Sequence, residues 1–169
     1  MDIRFGRLGD IEGITKIFNY YIEHTNARFE TQPLSVSNRT DWFAHFSPQS
    51  RYQIFVMEDE QEILGFACSQ PYRPLEAFDD TAEVSVYLSP HAVGKGVGKK
   101  LYTALFEALA QSGLHRVLSA IALPNEASVR LHQSFGFRKV GVFDQYAKKN
   151  GEYISSLWLE KRLEVKDNN

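Results

Sequence analysis

Apolar and polar positions recur along this chain with two different periods, and the changes of period mark its elements. Residues 10–25 carry Ile11, Ile14, Ile17, Phe18, Tyr21 and Ile22 at helical spacing, with Asp10 placed as N-cap. Ser35 to about Phe46 reads as a second helix, closed by Ser47-Pro48. Residues 2–7 alternate as a short strand. Residues 52–58 and 62–70 read as two strands of a hairpin turning at Asp59-Glu60-Gln61. A loop with Pro71, Pro74 and two aspartates leads to residues 82–88, Ala-Glu-Val-Ser-Val-Tyr-Leu, the strongest strand signal. Ser89-Pro90 stops that strand. A glycine-rich turn at 94–98 opens a long amphipathic helix from Lys99 to Gln111, ended by Ser112-Gly113. Residues 115–122 form an apolar run that predicts a strand buried on both faces. Asn125 caps a further helix reaching about Phe135, with Gly136 at its end. Strands at 138–147 and 152–160 follow, joined by Lys149-Asn150-Gly151, a strong hairpin signal.

The predicted order is therefore β-α-α-β-β-β-α-β-α-β-β. The strand–helix–strand–helix section requires a parallel pairing, whereas the hairpins are antiparallel. An α/β (α+β) fold follows: a mixed, mostly antiparallel central sheet of about seven strands with four flanking helices. At 169 residues the chain reads as one domain over 1–163, with a polar tail at 164–169.

Composition narrows the classes. With 43% hydrophobic and 24% charged residues, neither disorder nor a fibre is expected. The net charge of −2 and the scattered basic residues argue against a nucleic-acid partner. No apolar stretch approaches a membrane span, and the N-terminus lacks a signal-peptide pattern. The single cysteine, Cys68, lies in a strand-like apolar run and reads as a small buried hydrophobe. A cytoplasmic location is expected. The five histidines lack a paired ligand spacing, so no metal is expected.

The motif that changes the picture is Gly94-Lys95-Gly96-Val97-Gly98-Lys99-Lys100, between a strand and a helix. Glycines there let successive amide N–H groups point into one hollow. The helix N-terminus adds unpaired N–H groups and the positive end of its dipole. The combination suits a phosphate or pyrophosphate. A nucleoside-triphosphate P-loop is excluded, because no Ser or Thr follows Lys95, Lys99 or Lys100. A dinucleotide fingerprint is excluded by the Gly-x-Gly-x-Gly spacing and the position halfway along the chain.

This pattern resembles the acetyl-coenzyme A signature of the GCN5-related N-acetyltransferase (GNAT) superfamily, Gln/Arg-x-x-Gly-x-Gly/Ala. Gly96 and Gly98 match its glycines, and Val93 stands at its first position. The resemblance spans about residues 2–163 and is closest to the phosphinothricin and methionine sulfoximine acetyltransferase branch. It is carried by Asn19-Tyr20-Tyr21-Ile22, Phe29, 82–87, 98–102, the run Leu123 to His132 and Gly136-Phe137. It implies an acyl-CoA N-acyltransferase fold, acetyl-CoA as cosubstrate, a small amine acceptor and a homodimer.

Acetyl transfer needs a neutral amine, so a general base must take a proton. Glu83 is the candidate, in an otherwise apolar strand where burial raises a carboxyl pKa, and the resemblance points to the same residue. A solvated carboxylate alternating with Ser85 and Tyr87 fits the same pattern. The departing thiolate benefits from a proton. His132 is the candidate donor, sharing a helix face with Asn125 and Ser128, while a packing histidine fits equally. Asn125 and Ser128 suit helix capping, and the resemblance adds cofactor contact. It also implies backbone N–H groups near Val86 and Tyr87 for the acetyl carbonyl, on a strand splayed from 115–122, and places Leu88, Val93, Gly94, Lys95, Gly96, Val97, Gly98 and Lys99 on the cofactor. An amino-acid acceptor presents a carboxylate, for which Arg73 is the candidate, with Phe29 and Tyr72 as pocket walls. Leu75 stands where the branch has an arginine. A peptide acceptor and a noncatalytic coenzyme A sensor remain alternatives.

Overall fold

The computed structural model describes residues 1–164, so the tail predicted at 164–169 lies outside the described residues except for Glu164. Seven strands, β1 (Asp2–Phe5), β2 (Ile54–Asp59), β3 (Glu62–Pro71), β4 (Thr81–Leu88), β5 (Arg116–Ala122), β6 (Arg138–Lys149) and β7 (Glu152–Arg162), form one sheet. The helices are α1 (Ile11–His24), α2 (Val36–Phe43), α3 (Val97–Leu109) and α4 (Glu126–Ser134). The sheet order is β1-β2-β3-β4-β5-β7-β6, antiparallel at every step except β4–β5. This is the mixed sheet with four helices that the pattern predicted.

Each face of the sheet buries one core. Ile11, Ile14, Ile17 and Phe18 of α1 and Phe43 of α2 pack on Ile54, Val56, Phe66 and Cys68. On the other face Val97, Leu101, Tyr102, Leu105 and Leu109 of α3 pack on Met57, Ala67, Ala82, Val84, Val117, Leu157 and Leu159. Each buried Ile, Leu or Phe contributes about 1.5–3 kcal/mol, and these two layers hold the sheet between them.

Several boundaries differ from the sequence reading, each for a local reason. Asp10 occupies the position before α1, but its side chain makes no cap bond. Its carboxylate instead accepts from the Arg4 guanidinium at 2.7 and 2.8 Å and from the Arg7 N–H at 2.8 Å. Those partners hold Asp10 below the usual carboxyl range against the effect of its burial. Helix α2 stops at Phe43, with Ser35 as its cap: the Ser35 hydroxyl accepts from Asn38 N–H. Helix α3 starts two residues earlier than expected, at Val97, because Gly96 in the left-handed region serves as its N-cap. Strand β6 runs on to Lys149 around an irregularity between Phe143 and Ala147, where Gln145 has a φ of 46°.

Strand β5 was expected to be buried on both faces. Val117, Ser119 and Ile121 are buried, while Leu118, Ala120 and Ala122 are half-buried. The reason lies at the sheet's centre. β4 and β5 pair only through Thr81↔Arg116, Ala82↔Val117 and Glu83↔Leu118. Beyond Glu83 the two strands part, and Ala120 and Ala122 line the opening.

Candidate functional site

The opening between β4 and β5 continues into a cavity of about 620 Å³ that reaches the glycine turn. Its walls include Val86, Tyr87, Leu88, Val93, Gly94, Gly96, Gly98, Lys99, Asn125, Ser128 and His132, all singled out in the sequence. Gly94 and Gly96 have φ of 79° and 77°, and a side chain at either would project into open space. An L-residue resists that backbone, so the turn keeps its amides bare at the mouth of α3. A diphosphate fits such a wall of glycines at a helix N-terminus. Of the remaining motif residues, Lys95 is not on the cavity wall, and Val97 is buried in the core at 1% exposure. Only the backbone of Val97 is left to face a ligand. A larger groove of about 1060 Å³ lies at the other end of α3, among Asp79, Asp80, Glu107 and Gln111, away from every one of these features.

The free edge of β4 carries polar groups into this opening. Ser89 N–H bonds Leu64 O at 2.8 Å, so alternation turns the N–H and carbonyl of Val86 and Leu88 toward β5. The Leu88 carbonyl accepts from the Tyr21 hydroxyl at 2.9 Å. Val86 N–H has no β5 partner at its level.

Helix α4 forms the opposite wall. Asn125 Oδ1 accepts from Ser128 N–H at 3.2 Å, the predicted cap. His132 is 2% exposed. Its Nδ1 lies 2.8 Å from the Ser128 carbonyl, so Nδ1 carries a proton, and its Nε2 lies 2.8 Å from the Tyr102 hydroxyl. Burial lowers its pKa, opposed by the Ser128 carbonyl. Tyr102, wholly buried in α3, lies in the run 98–102 that carries the resemblance, but the sequence reading gave it no role at the site.

Glu83 stands at the closed end of the cleft, between Gln70 of β3 and Leu118 of β5. Burial pushes its carboxyl above the ordinary value, and Arg28 pulls the other way. Arg28 lies 4.7 Å over the Phe18 ring, pairs with Glu30 and reaches the Tyr87 hydroxyl at 3.5 Å. Nothing in the run Asn26-Ala27-Arg28-Phe29 marked Arg28 beforehand. Cys68 is fully buried, and burial pushes its thiol up to about 11, as suits a packing residue.

The acceptor-side residues Phe29, Tyr72 and Arg73 do not line the cavity. The structure joins them in a separate arc of rings. Phe29 meets Tyr146 at 6.0 Å, Tyr146 meets Phe143 at 5.3 Å, Phe143 meets Trp158 at 6.1 Å and Trp158 meets Tyr72 at 6.2 Å. Arg73 sits 5.2 Å over Tyr72. Three of these rings come from the β6–β7 hairpin, and the irregularity after Phe143 places Tyr146 among them.

The model of the acetyltransferase (GNAT) family matches residues 15–137. The chain belongs to the acetyltransferase (GNAT) family. It is similar to a phosphinothricin N-acetyltransferase of Streptomyces coelicolor, at 40% identity covering 96% of each chain. An L-methionine sulfoximine/L-methionine sulfone acetyltransferase of Pseudomonas paraeruginosa is 35% identical, covering 96% of this chain and 94% of its own. Among solved structures, an acetyltransferase from Salmonella typhimurium with its cofactor acetyl-CoA superposes with a TM-score of 0.92. It is 31% identical, covering 97% of this chain and 94% of that one. The GNAT fold and an N-acetyltransferase activity are thereby assigned. Among the described residues, no helix is long and apolar enough to cross a membrane.

Proposed function

We propose that this GNAT enzyme takes acetyl-CoA in the β4–β5 cleft and acetylates the primary amine of a small amino-acid-like acceptor, of phosphinothricin or methionine sulfoximine type. The carrying observation is that the two strands part directly after Glu83, so a half-buried carboxyl whose pKa burial raises stands at the fork. The Salmonella typhimurium relative solved with acetyl-CoA supports the cosubstrate. The named relatives support the acceptor class.

The cosubstrate supplies an acetyl thioester. Gly94, Gly96, Gly98 and the first turn of α3 hold its diphosphate by backbone N–H groups, with Lys99 adding charge. Asn125 and Ser128 flank its arm. Glu83 takes the proton the amine must lose as its nitrogen bonds the acetyl carbon. Val86 N–H faces the oxygen on which negative charge develops. His132, once protonated from solvent, gives that proton to the departing thiolate; a buried imidazolium releases its proton readily. Phe29, Tyr72 and Arg73 receive the acceptor, with Arg73 as the partner of its carboxylate.

Assembly as a homodimer belongs to the same reading. It is supported by β6, an edge strand on which Val140, Val142 and Phe143 lie exposed. A reducing, cytoplasmic setting suits the single buried thiol.

The test is release of free thiol from acetyl-CoA by the purified protein with a panel of amines: phosphinothricin, methionine sulfoximine, methionine sulfone and ordinary amino acids. Thiol release with the oxidised methionines supports the reading. Release only with peptides would assign a peptide acceptor, and coenzyme A binding without turnover would leave a sensor module.

A further inference from the structure

Trp158 Nε1 is buried and has no hydrogen-bond partner among the described residues. Leaving a donor buried and unpaired costs about 1–3 kcal/mol. An orphan of that kind in a folded protein calls for an explanation. Its surroundings supply one.

Trp158 alternates along β7 with Leu157 and Leu159, which belong to the core under α3. Ala82 and Val84 of β4 lie in the same core, so Trp158 and Glu83 share the opposite sheet face. The register fixes their separation. Glu83 pairs with Leu118, which pairs with Glu160, and Trp158 precedes Glu160 by two residues on β7, opposite Ala120. That places the two backbones about 12 Å apart. Both side chains stand on that one face, so a small acceptor lying across it can meet both. Around the indole stand Phe143 and Tyr72, with Arg73 exposed beyond Tyr72.

We propose that Trp158 Nε1 is a specificity-determining donor that bonds a neutral, strongly dipolar oxygen on the acceptor's side chain, such as that of a sulfone or sulfoximine. The inference rests on the reading of this enzyme as an acetyltransferase of small amino acids. Its logic is desolvation. A full carboxylate buried among rings, met by one neutral N–H, costs more than that bond returns. The carboxylate therefore stays at the rim with Arg73, where water and a guanidinium both reach it. A neutral S=O oxygen needs one good donor, and the ring arc offers one. A thioether offers only a weak acceptor and leaves the N–H unpaired.

The experiment follows the two tryptophans of the chain, Trp42 and Trp158. Trp42 Nε1 already donates to Gln70. Trp42→Phe then leaves one indole N–H signal in the ¹H–¹⁵N spectrum of coenzyme A-saturated protein. Titration with L-methionine sulfone should move that signal downfield, and L-methionine should leave it in place. In parallel, Trp158→Phe keeps a ring and removes the N–H. It should lower the ratio of kcat/KM for the sulfone over methionine by about tenfold. An indole signal indifferent to the sulfone, or an unchanged ratio, overturns the proposal. Where Trp158→Phe does not fold, the titration alone decides. Absence of thiol release with every amine would remove the acetyl-transfer reading itself, and the titration would still decide for or against the Trp158 contact.

Discussion

The Tyr102 hydroxyl and His132 Nε2 lie 2.8 Å apart, joining the middle of α3 to the last turn of α4 at the inner wall of the cleft. Both residues are buried, so neither can replace the other with water. His132→Leu strips the Tyr102 hydroxyl of its 2.8 Å partner and should cost about 1–3 kcal/mol of stability by chemical denaturation. Combined with Tyr102→Phe it should cost less than the sum of the two, with a coupling of about 0.5–3 kcal/mol. The kinetic arm separates donor from packing. If His132 returns the thiolate's proton, kcat of the folded His132→Leu protein falls roughly 10²–10⁴-fold. Tyr102→Phe should fall far less. Equal kcat in the two variants would leave His132 a packing residue.

Glu83→Gln should slow turnover by roughly 10²–10⁴-fold with coenzyme A affinity nearly intact. In the parent enzyme kcat/KM should rise with pH as Glu83 ionises, through a pKa above the ordinary carboxyl value, and the variant should lose that limb. Stability moves the opposite way. A folded pKa raised above the unfolded one means the folded state holds the proton more tightly. The contribution is therefore full below the unfolded pKa and is lost as pH rises through the folded one. A neutral Gln escapes that loss, so the variant should be at least as stable as the parent at neutral pH. Thermal denaturation at acid and neutral pH checks the sign.

What the sequence made legible was local. The alternation at 82–88 produced β4 and with it Glu83, and the glycine turn produced the mouth of α3. Asn150-Gly151 turned the last hairpin with both residues at positive φ. The site's remaining parts are brought together by tertiary structure. The parting of β4 and β5 was expected only from resemblance, since pairing beyond Glu83 leaves no mark on composition. Phe29 and Tyr72 were legible as aromatic residues, but the rings that connect them sit on β6 and β7, more than 60 residues downstream of the later one. Arg28 and Trp158 matter through what packs on them, which no spacing encodes. Asp10 shows the converse: a good cap residue whose carboxylate was taken by Arg4.

Gly96→Ala tests the turn as a binding surface. The φ of 77° there costs an L-residue about 1–2 kcal/mol, with no steric clash to confuse the result. The same strain opposes the bound geometry and should weaken coenzyme A binding by up to roughly tenfold in calorimetric titration. Gly113→Ala, at a φ of 76° beyond the far end of α3, carries a comparable strain and should leave coenzyme A affinity unchanged. Equal losses in both would deny the turn any special role.

Arg28→Met removes the cation that opposes burial at Glu83. With only desolvation acting, the carboxyl should titrate higher still. The ascending limb of the pH–rate profile should therefore move to higher pH, with the plateau rate less affected than the rate at acid pH. A limb that stays in place would show that the base in the profile is a different group.

Lys149 is 2% exposed, yet its ammonium meets no carboxylate among the described residues. It donates instead to three main-chain carbonyls, Ile22 at 2.6 Å, Thr25 at 2.8 Å and Arg28 at 2.8 Å. Those carbonyls belong to the end of α1 and the segment that carries Arg28 and Phe29 past the site. A lysine from the far hairpin thus fixes the position of the residue that faces Glu83 and of the first ring in the aromatic arc. Lys149→Met keeps the stem and strips all three bonds, leaving carbonyls without a donor. It should cost about 3 kcal/mol of stability and speed amide exchange across residues 25–30. Because the glycine turn lies elsewhere, the KM for acetyl-CoA should hold while the KM for the acceptor rises. Loss of acetyl-CoA affinity in step with the acceptor would mean that Lys149 supports the whole fold and not this segment alone.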